Sequence, residues 1–74
     1  MTGYVVVFEG DDESGYSAYS PDLPGVVAAA DTREETEVLM REAMSEHVAI
    51  LRQTGQPVPE AAAAAVTIVG IPAA

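Results

Sequence analysis

The carboxylates of this chain are the side chains whose types and spacing could support metal-ion chemistry. Glu9 ends an apolar run, and several glutamates follow over residues 34–46. Two-metal nucleases hold their ions with carboxylates from a first strand, a helix and a neighbouring later strand. Residues 66–74 contain no acidic side chain, so the last of these ligands is missing. The sequence therefore predicts no metal site and no catalytic residue.

A histidine and an acidic run are the other candidates for chemistry. His47 falls on the apolar face of a predicted helix, and no cysteine or second histidine is present to complete a metal site with it. We therefore interpret His47 as a packed core residue. Asp11, Asp12 and Glu13 imitate the start of a calcium loop, but the glycine and distal glutamate are wrongly spaced. No cofactor is expected, and this acidic run is either a solvated loop or a contact for a basic partner.

Residues 20–25, with the sequence Ser-Pro-Asp-Leu-Pro-Gly, are predicted to form a stiff loop, called here the proline loop. Its two prolines fix φ and remove two backbone donors. The aspartate favours a local turn, and the glycine can take positive φ. Because a stiff loop loses little entropy on binding, it suits recognition; a rigid connection without a partner is the alternative. The predicted partner-binding residues are Asp11, Asp12, Glu13, Pro21, Asp22, Leu23, Pro24 and Gly25.

Composition restricts the class of protein. The 74 residues make one small domain, for which oligomerisation is a common way to gain buried area. Twelve acidic residues, three arginines and no lysine give a net charge of −9, which disfavours unaided binding to nucleic acid and suits a basic protein partner. The sequence contains no membrane-spanning apolar run and no cysteine, and residues at its start lack the basic and apolar pattern of a signal peptide. We expect a cytoplasmic protein without membrane or direct nucleic-acid contacts.

The elements that must position these residues are four strands and one helix. β-branched and aromatic residues predict strands at residues 4–9, 16–20, 26–30 and 66–69. Thr32 and Glu35 fit a capping box that starts a helix over residues 33–53, which Gly55 ends. With a right-handed crossover, the order β-β-β-α-β predicts one α+β domain over residues 1–74. Its four-stranded mixed sheet has the order 3-2-1-4, with the helix on one face.

One helix covers only one side of such a sheet, yet both faces of the first and last predicted strands are apolar. Because a large exposed apolar patch usually marks an interface, we expect a dimer or tetramer formed through the helix-free face or a strand edge. The alternative is that residues 56–65 fold over that face. The predicted oligomer-interface residues are Tyr4, Val6, Phe8, Val69 and Ile71.

The motifs of this chain occur in the same order in one known family. The first predicted strand, Gly15-Tyr16, the proline loop, Asp31-Thr32 and the Gly-Gln-Pro-Val-Pro run at residues 55–59 resemble the HicB family of bacterial antitoxins. The resemblance covers about residues 4–60. It implies a partial ribonuclease-H-like domain without nuclease activity, which binds HicA, a small basic mRNA-cleaving toxin, and covers the active site of that toxin.

Fuller members of that family carry a C-terminal DNA-binding segment. In this sequence only five residues follow Val69, so autoregulation by direct DNA contact is not expected. The leading interpretation is a non-enzymatic antitoxin of a type II toxin–antitoxin pair. The alternative is a stand-alone, self-associating acidic binding module of unknown ligand, without a toxin partner. Binding to the product of an adjacent small basic reading frame would distinguish the two.

Overall fold

A computed structural model of the protein describes residues 3–63 and 65–72. In these residues the element order is β1 (Val7–Asp11), β2 (Gly15–Tyr19), β3 (Val27–Ala30) and α1 (Arg33–Gln53). The strands form one antiparallel sheet of order β1-β2-β3, and α1 packs against one face of it. No helix in this part of the chain is both long and apolar enough to cross a membrane.

β1 and β2 form a tight hairpin whose register runs from Val7 opposite Tyr19 to Asp11 opposite Gly15. β1 begins three residues later than predicted, because β2 ends opposite Val7 and leaves the earlier residues without a partner. It also continues two residues further, since the hairpin turns within residues 12–14. Gly10 has a φ of 121°, and a Cβ atom there would clash with the carbonyl oxygen of Gly15.

Helix α1 occupies the same residues as the predicted helix, and both of its ends are capped. The Thr32 hydroxyl oxygen accepts a hydrogen bond from the Glu35 backbone N–H at 3.1 Å, and the hydroxyl donates to the Glu35 carboxylate. At the other end the N–H groups of Gly55 and Gln56 donate to the carbonyls of Arg52 and Leu51, which is a Schellman motif. The helix start is therefore fixed directly after β3.

The core lies between α1, the sheet and the proline loop. Phe8, Ala18 and Ala28 are cross-strand neighbours, and all three pack on the side of the sheet that faces the helix. The buried side chains are those of Ala18, Ser20, Asp22, Leu23, Val26, Thr36 and Met40. Leu23 comes from the proline loop and is fully buried, so this loop forms part of the core.

The prediction of a four-stranded mixed sheet of order 3-2-1-4 is wrong: the sheet is three-stranded and antiparallel. Residues 66–69, predicted as the fourth strand, have no strand partner among the described residues and are exposed. Side-chain hydrogen bonds take the place of strand pairing here. The N–H groups of Val5, Ala62 and Ala63 all donate to the Asp22 carboxylate, which holds the chain just before residues 66–69 at Asp22.

Residues 56–63 take no regular secondary structure, and they lie beside the start of the chain rather than over the helix-free face. The Tyr4 hydroxyl donates a hydrogen bond to the Pro59 carbonyl. Val58 and Pro59 line a cleft together with Tyr4 and the α1 residue Val48. Residues 56–63 therefore leave the helix-free face of the sheet uncovered along β1, β2 and β3.

Candidate partner-binding surface

The antiparallel register brings three parts of the chain to one end of the sheet. The β1–β2 turn lies there because Asp11 is opposite Gly15, and Ala30 lies beside Tyr16, so the N-terminus of α1 follows at the same end. We call this surface the acidic end, because seven of the twelve acidic residues occupy it. They are Glu9, Asp11, Asp12, Glu13, Asp31, Glu34 and Glu35.

Three carboxylates of the acidic end, those of Asp12, Asp11 and Glu34, act on the Tyr16 hydroxyl. This group donates a hydrogen bond to Asp12 Oδ1 at 2.8 Å. The hydrogen bond raises the pKa of Tyr16, and the negative charges of Asp12, Asp11 and Glu34 raise it further. Carboxylates from the turn and from the helix are therefore close enough to share one electrostatic environment.

Asp11 and its neighbours Asp12 and Glu13 have different roles in the turn. Asp11 Oδ1 accepts hydrogen bonds from the Ser14 N–H at 2.7 Å, the Ser14 hydroxyl at 2.8 Å and the Glu13 N–H at 3.0 Å. These bonds, led by the Ser14 N–H, lower the pKa of the Asp11 carboxyl. Asp11 therefore shapes the turn in its charged form, while Asp12 and Glu13 extend into solvent beside it.

One cation, Arg33, lies at the acidic end among the described residues. Its guanidinium is 4.6 Å from the centroid of the Phe8 ring and 3.6 Å from a carboxylate oxygen of Glu37. Arg33 is thus directed towards the helix side of β1. One arginine cannot neutralise seven carboxylates, so the acidic end is strongly negative.

The proline loop lies at the other end of β2 from the acidic turn. Five residues of β2 separate the two, which corresponds to about 16 Å along the strand. The eight predicted partner-binding residues therefore do not form one compact site. Asp11, Asp12 and Glu13 belong to the acidic end, whereas the other five belong to the far end of the sheet.

Within the proline loop, the structure also separates buried from exposed residues. Asp22 is buried: its Oδ2 accepts from the Val5 N–H at 2.9 Å, and its Oδ1 from the N–H groups of Ala62 and Ala63 at 3.1 Å. The Val5 hydrogen bond contributes most to lowering the pKa of Asp22, and burial opposes this shift. Leu23 lies in the core, so the exposed residues of the loop are Pro21, Pro24 and Gly25.

The five predicted oligomer-interface residues are divided between two places. Tyr4, Val6 and Phe8 pack on the helix side, where Met40 and Met44 of α1 lie beside them. Val69 and Ile71 are exposed beyond the folded core. The helix-free face presents a different apolar row, formed by the cross-strand neighbours Val7, Tyr19 and Val27.

His47 is half-buried and lines a shallow depression with Gly25, Val27 and Glu46, so it lies at the border of the core rather than within it. Among residues 3–63 and 65–72, no group of three histidines or carboxylates is arranged to hold a metal ion. The acidic end thus offers exposed negative charge for binding.

Sequence reasoning missed four members of the acidic end: Glu9, Asp31, Glu34 and Glu35. A signal for them was present. The capping box at Thr32 places the first turn of α1 directly after β3, and three antiparallel strands place the end of β3 beside the β1–β2 turn. Combining these two observations predicts that the acidic residues of both segments meet.

The fold and the charge of this surface define a small, strongly acidic α+β domain. A family model described as the HicB-like antitoxin of bacterial toxin–antitoxin systems matches residues 4–69. Because the match spans most of the 74 residues, the chain belongs to the HicB-like antitoxin family, and the resemblance noted in the sequence is confirmed. A comparison with curated proteins finds no match.

Proposed function

We propose that this chain is the antitoxin of a type II toxin–antitoxin pair and that it neutralises a small, basic, HicA-like toxin that cleaves mRNA. It binds over the active site of that toxin and catalyses no reaction itself. The observation that carries the proposal is the family match over residues 4–69, which implies a toxin partner. The concentration of exposed carboxylates at one end of the sheet supports a basic partner.

Electrostatics indicate how the two proteins meet. A toxin that cleaves RNA must attract phosphates, so its active-site surface is positively charged. The acidic end presents carboxylates on a hairpin turn fixed by Asp11 and on the first turn of a capped helix. Such a surface competes with RNA for the same positive charges and accelerates the encounter. We assign the steering contacts to Asp12, Glu13 and Glu34.

The exposed part of the proline loop provides a second, smaller contact in this proposal. Pro21, Pro24 and Gly25 are exposed, while the buried side chains of Asp22 and Leu23 fix the loop to the rest of the domain. Because the loop is fixed before binding, it loses little conformational entropy in a complex. Asp22 and Leu23 therefore support binding through the shape of the loop.

A paired set of charge variants tests the role of the acidic end. Asp12→Asn/Glu13→Gln removes two charges from the turn, and Glu42→Gln/Glu46→Gln removes two from exposed positions near the middle of α1. Affinity and association rate for a small basic protein encoded by an adjacent reading frame are measured by surface plasmon resonance at low and high salt. We expect about tenfold weaker binding for the turn variant, mainly through slower association, and less than about twofold for the helix variant.

Two results would contradict this proposal. If no binding is detected even at low salt, and growth is not rescued when the toxin is co-expressed, the chain is a stand-alone acidic module. If binding occurs but both double variants weaken it equally, total charge rather than the acidic end determines affinity. Incubation of the purified chain with RNA and Mg²⁺, with Glu9→Ala as control, is expected to give no cleavage.

A further inference from the structure

Residues 65–72, called here the apolar segment, carry apolar side chains typical of a protein interior, but these side chains are exposed to solvent. The exposed fraction is 67% for Val66, 96% for Ile68, 71% for Val69 and 79% for Ile71. No charged side chain occurs in residues 61–74, the longest uncharged stretch of a chain with a net charge of −9. Four exposed β-branched residues so close together are typical of a surface that another surface covers.

An apolar groove of matching character lies on the outer side of β1. It runs between the first residues of the chain and α1, where Glu37 and Arg41 also line it, and its apolar lining consists of Tyr4, Val6, Phe8, Met40 and Met44. These five residues are half-buried, except for Met40, which is buried. Among the described residues, no strand pairs with the outer edge of β1. The groove therefore offers both apolar side chains and an unpaired strand edge.

We propose that the groove of one copy receives the apolar segment of a second copy, and that the exchange is reciprocal in a symmetric dimer. The lengths are similar. Residues 66–71 span about 20 Å when extended, and the groove follows residues 4–8, which lead into β1 and form its first part, for about 16 Å. A reciprocal exchange uses the same two surfaces on each copy, as a two-fold axis requires.

Charge argues for a second copy as the occupant. Two chains that each carry −9 repel at most surfaces, and the uncharged segment lets them meet without opposing carboxylates. The segment of the same chain does not fill the groove, because Ile68 and its neighbours are exposed while Ala62 and Ala63 are held by Asp22. A basic toxin would be expected to choose the acidic end instead. The inference does not depend on the toxin proposal.

Light scattering of the purified chain over a range of concentrations tests the proposal. We expect a dimer for the wild-type chain and at least about tenfold weaker dimerisation for Ile68→Asp, because a charge replaces an isoleucine that the proposed dimer buries. Ser17→Asp is the matched control, since it adds the same charge at an exposed position on the helix-free face. It is expected to remain a dimer.

Crosslinking between copies tests the contact itself, and the absence of native cysteine makes it specific. Ile68→Cys is mixed with Ser45→Cys, an exposed residue at the groove rim, and treated with a flexible bis-maleimide. A product with the mass of two chains is expected. The pair Ile68→Cys and Ser17→Cys is expected to give little product under the same conditions.

Several outcomes would overturn the proposal. A monomeric wild-type chain, or an Ile68→Asp variant that dimerises normally, excludes the exchange. If only Ser17→Asp loses the dimer, the dimer interface lies on the helix-free face and the proposal is wrong. If both variants are monomeric, the crosslink between Ile68→Cys and Ser45→Cys distinguishes the two interfaces. Its formation supports the proposal, and its absence contradicts it. If Ile68→Asp weakens toxin binding while the wild-type chain is monomeric, the segment belongs to the toxin interface instead.

Discussion

The proline loop and the apolar segment are two regions without regular secondary structure whose environments are opposite. The sequence predicts the loop as an exposed recognition surface and the segment as a buried strand. In the structure, Ser20, Asp22 and Leu23 of the loop are buried, while Ile68 and Val69 of the segment are exposed. The more polar region is anchored in the core by these buried residues, and the more apolar region lies in solvent.

The difference shows what fixes a segment without regular structure. The Asp22 carboxylate accepts three backbone N–H groups from two distant parts of the chain, and the Asp22 N–H donates to Ser20 Oγ at 3.2 Å. These bonds place Leu23 in the core. The apolar segment contains no side chain able to make such a set of bonds, so its position depends on a neighbouring surface.

The largest expected effect comes from removing the loop's anchor in the core. Leu23→Ala leaves a cavity at a fully buried position and should lower the free energy of unfolding by about 2–5 kcal/mol. Domains of this size often have about 3–5 kcal/mol in total, so we expect a largely unfolded variant. Chemical denaturation followed by circular dichroism measures the change. A loss below about 1 kcal/mol would show that the loop is not part of the core.

Asp22→Asn tests the hydrogen bonds to the Asp22 carboxylate through the pH dependence of stability. The pKa of Asp22 is lowered from its ordinary value of 3.8, so the folded state binds fewer protons than the unfolded state below this pH. The stabilisation by Asp22 is therefore complete above pH 3.8 and is lost as the pH falls through the lowered pKa. We expect the variant to be less stable at neutral pH and the difference from wild type to narrow in acid.

Glu42→Gln, an exposed helix substitution that removes the same charge, is the control for Asp22→Asn. Its difference from wild type should be small at every pH. Thermal unfolding between pH 7 and pH 2.5 gives both comparisons. A difference for Asp22→Asn that stays constant with pH would contradict the assigned role of the carboxylate.

Pro24→Ala tests the stiffness of the exposed part of the loop. The substitution gives the unfolded chain more conformations and should lower stability by about 0.4–1 kcal/mol without changing any core contact. Denaturant titrations should therefore show a lower midpoint and an unchanged slope. A changed slope would mean that the loop conformation itself depends on Pro24.

The smallest effect is expected in the apolar segment. Ile68 is 96% exposed, so Ile68→Ala should change the unfolding free energy by less than about 0.5 kcal/mol. The measurement must use protein dilute enough to be monomeric, because dimerisation adds stability by mass action. A loss of 2 kcal/mol or more under these conditions would show that the segment packs on its own chain.

The sequence was sufficient to predict the parts of the fold that depend on local signals. The capping box at Thr32 and the glycine at position 55 gave a helix over the residues that α1 occupies. The order of three antiparallel strands was also predictable. The fourth strand was not, because a β-branched run reports that a segment prefers extended backbone but not whether a neighbour has free donors and acceptors for it.

The candidate site was predictable only in part. Asp12 and Glu13 were identified from their charge and exposure, and the structure places them at the acidic end. Asp22 and Leu23 were predicted as contacts, yet they are buried, because a sequence motif does not distinguish residues that touch a partner from residues that hold the motif in shape. The groove beside β1 could not be predicted, because the sequence pattern placed a fourth strand there and the described residues form none.

Hydrogen–deuterium exchange with and without the proposed toxin tests the central proposal, that this chain binds a basic toxin through the acidic end. We predict slower exchange in residues 9–15 and 31–35 when the toxin is added, with the apolar segment unchanged. Unchanged exchange at the acidic end in a complex that forms, with new protection confined to the helix-free face or to residues 65–72, would contradict the account.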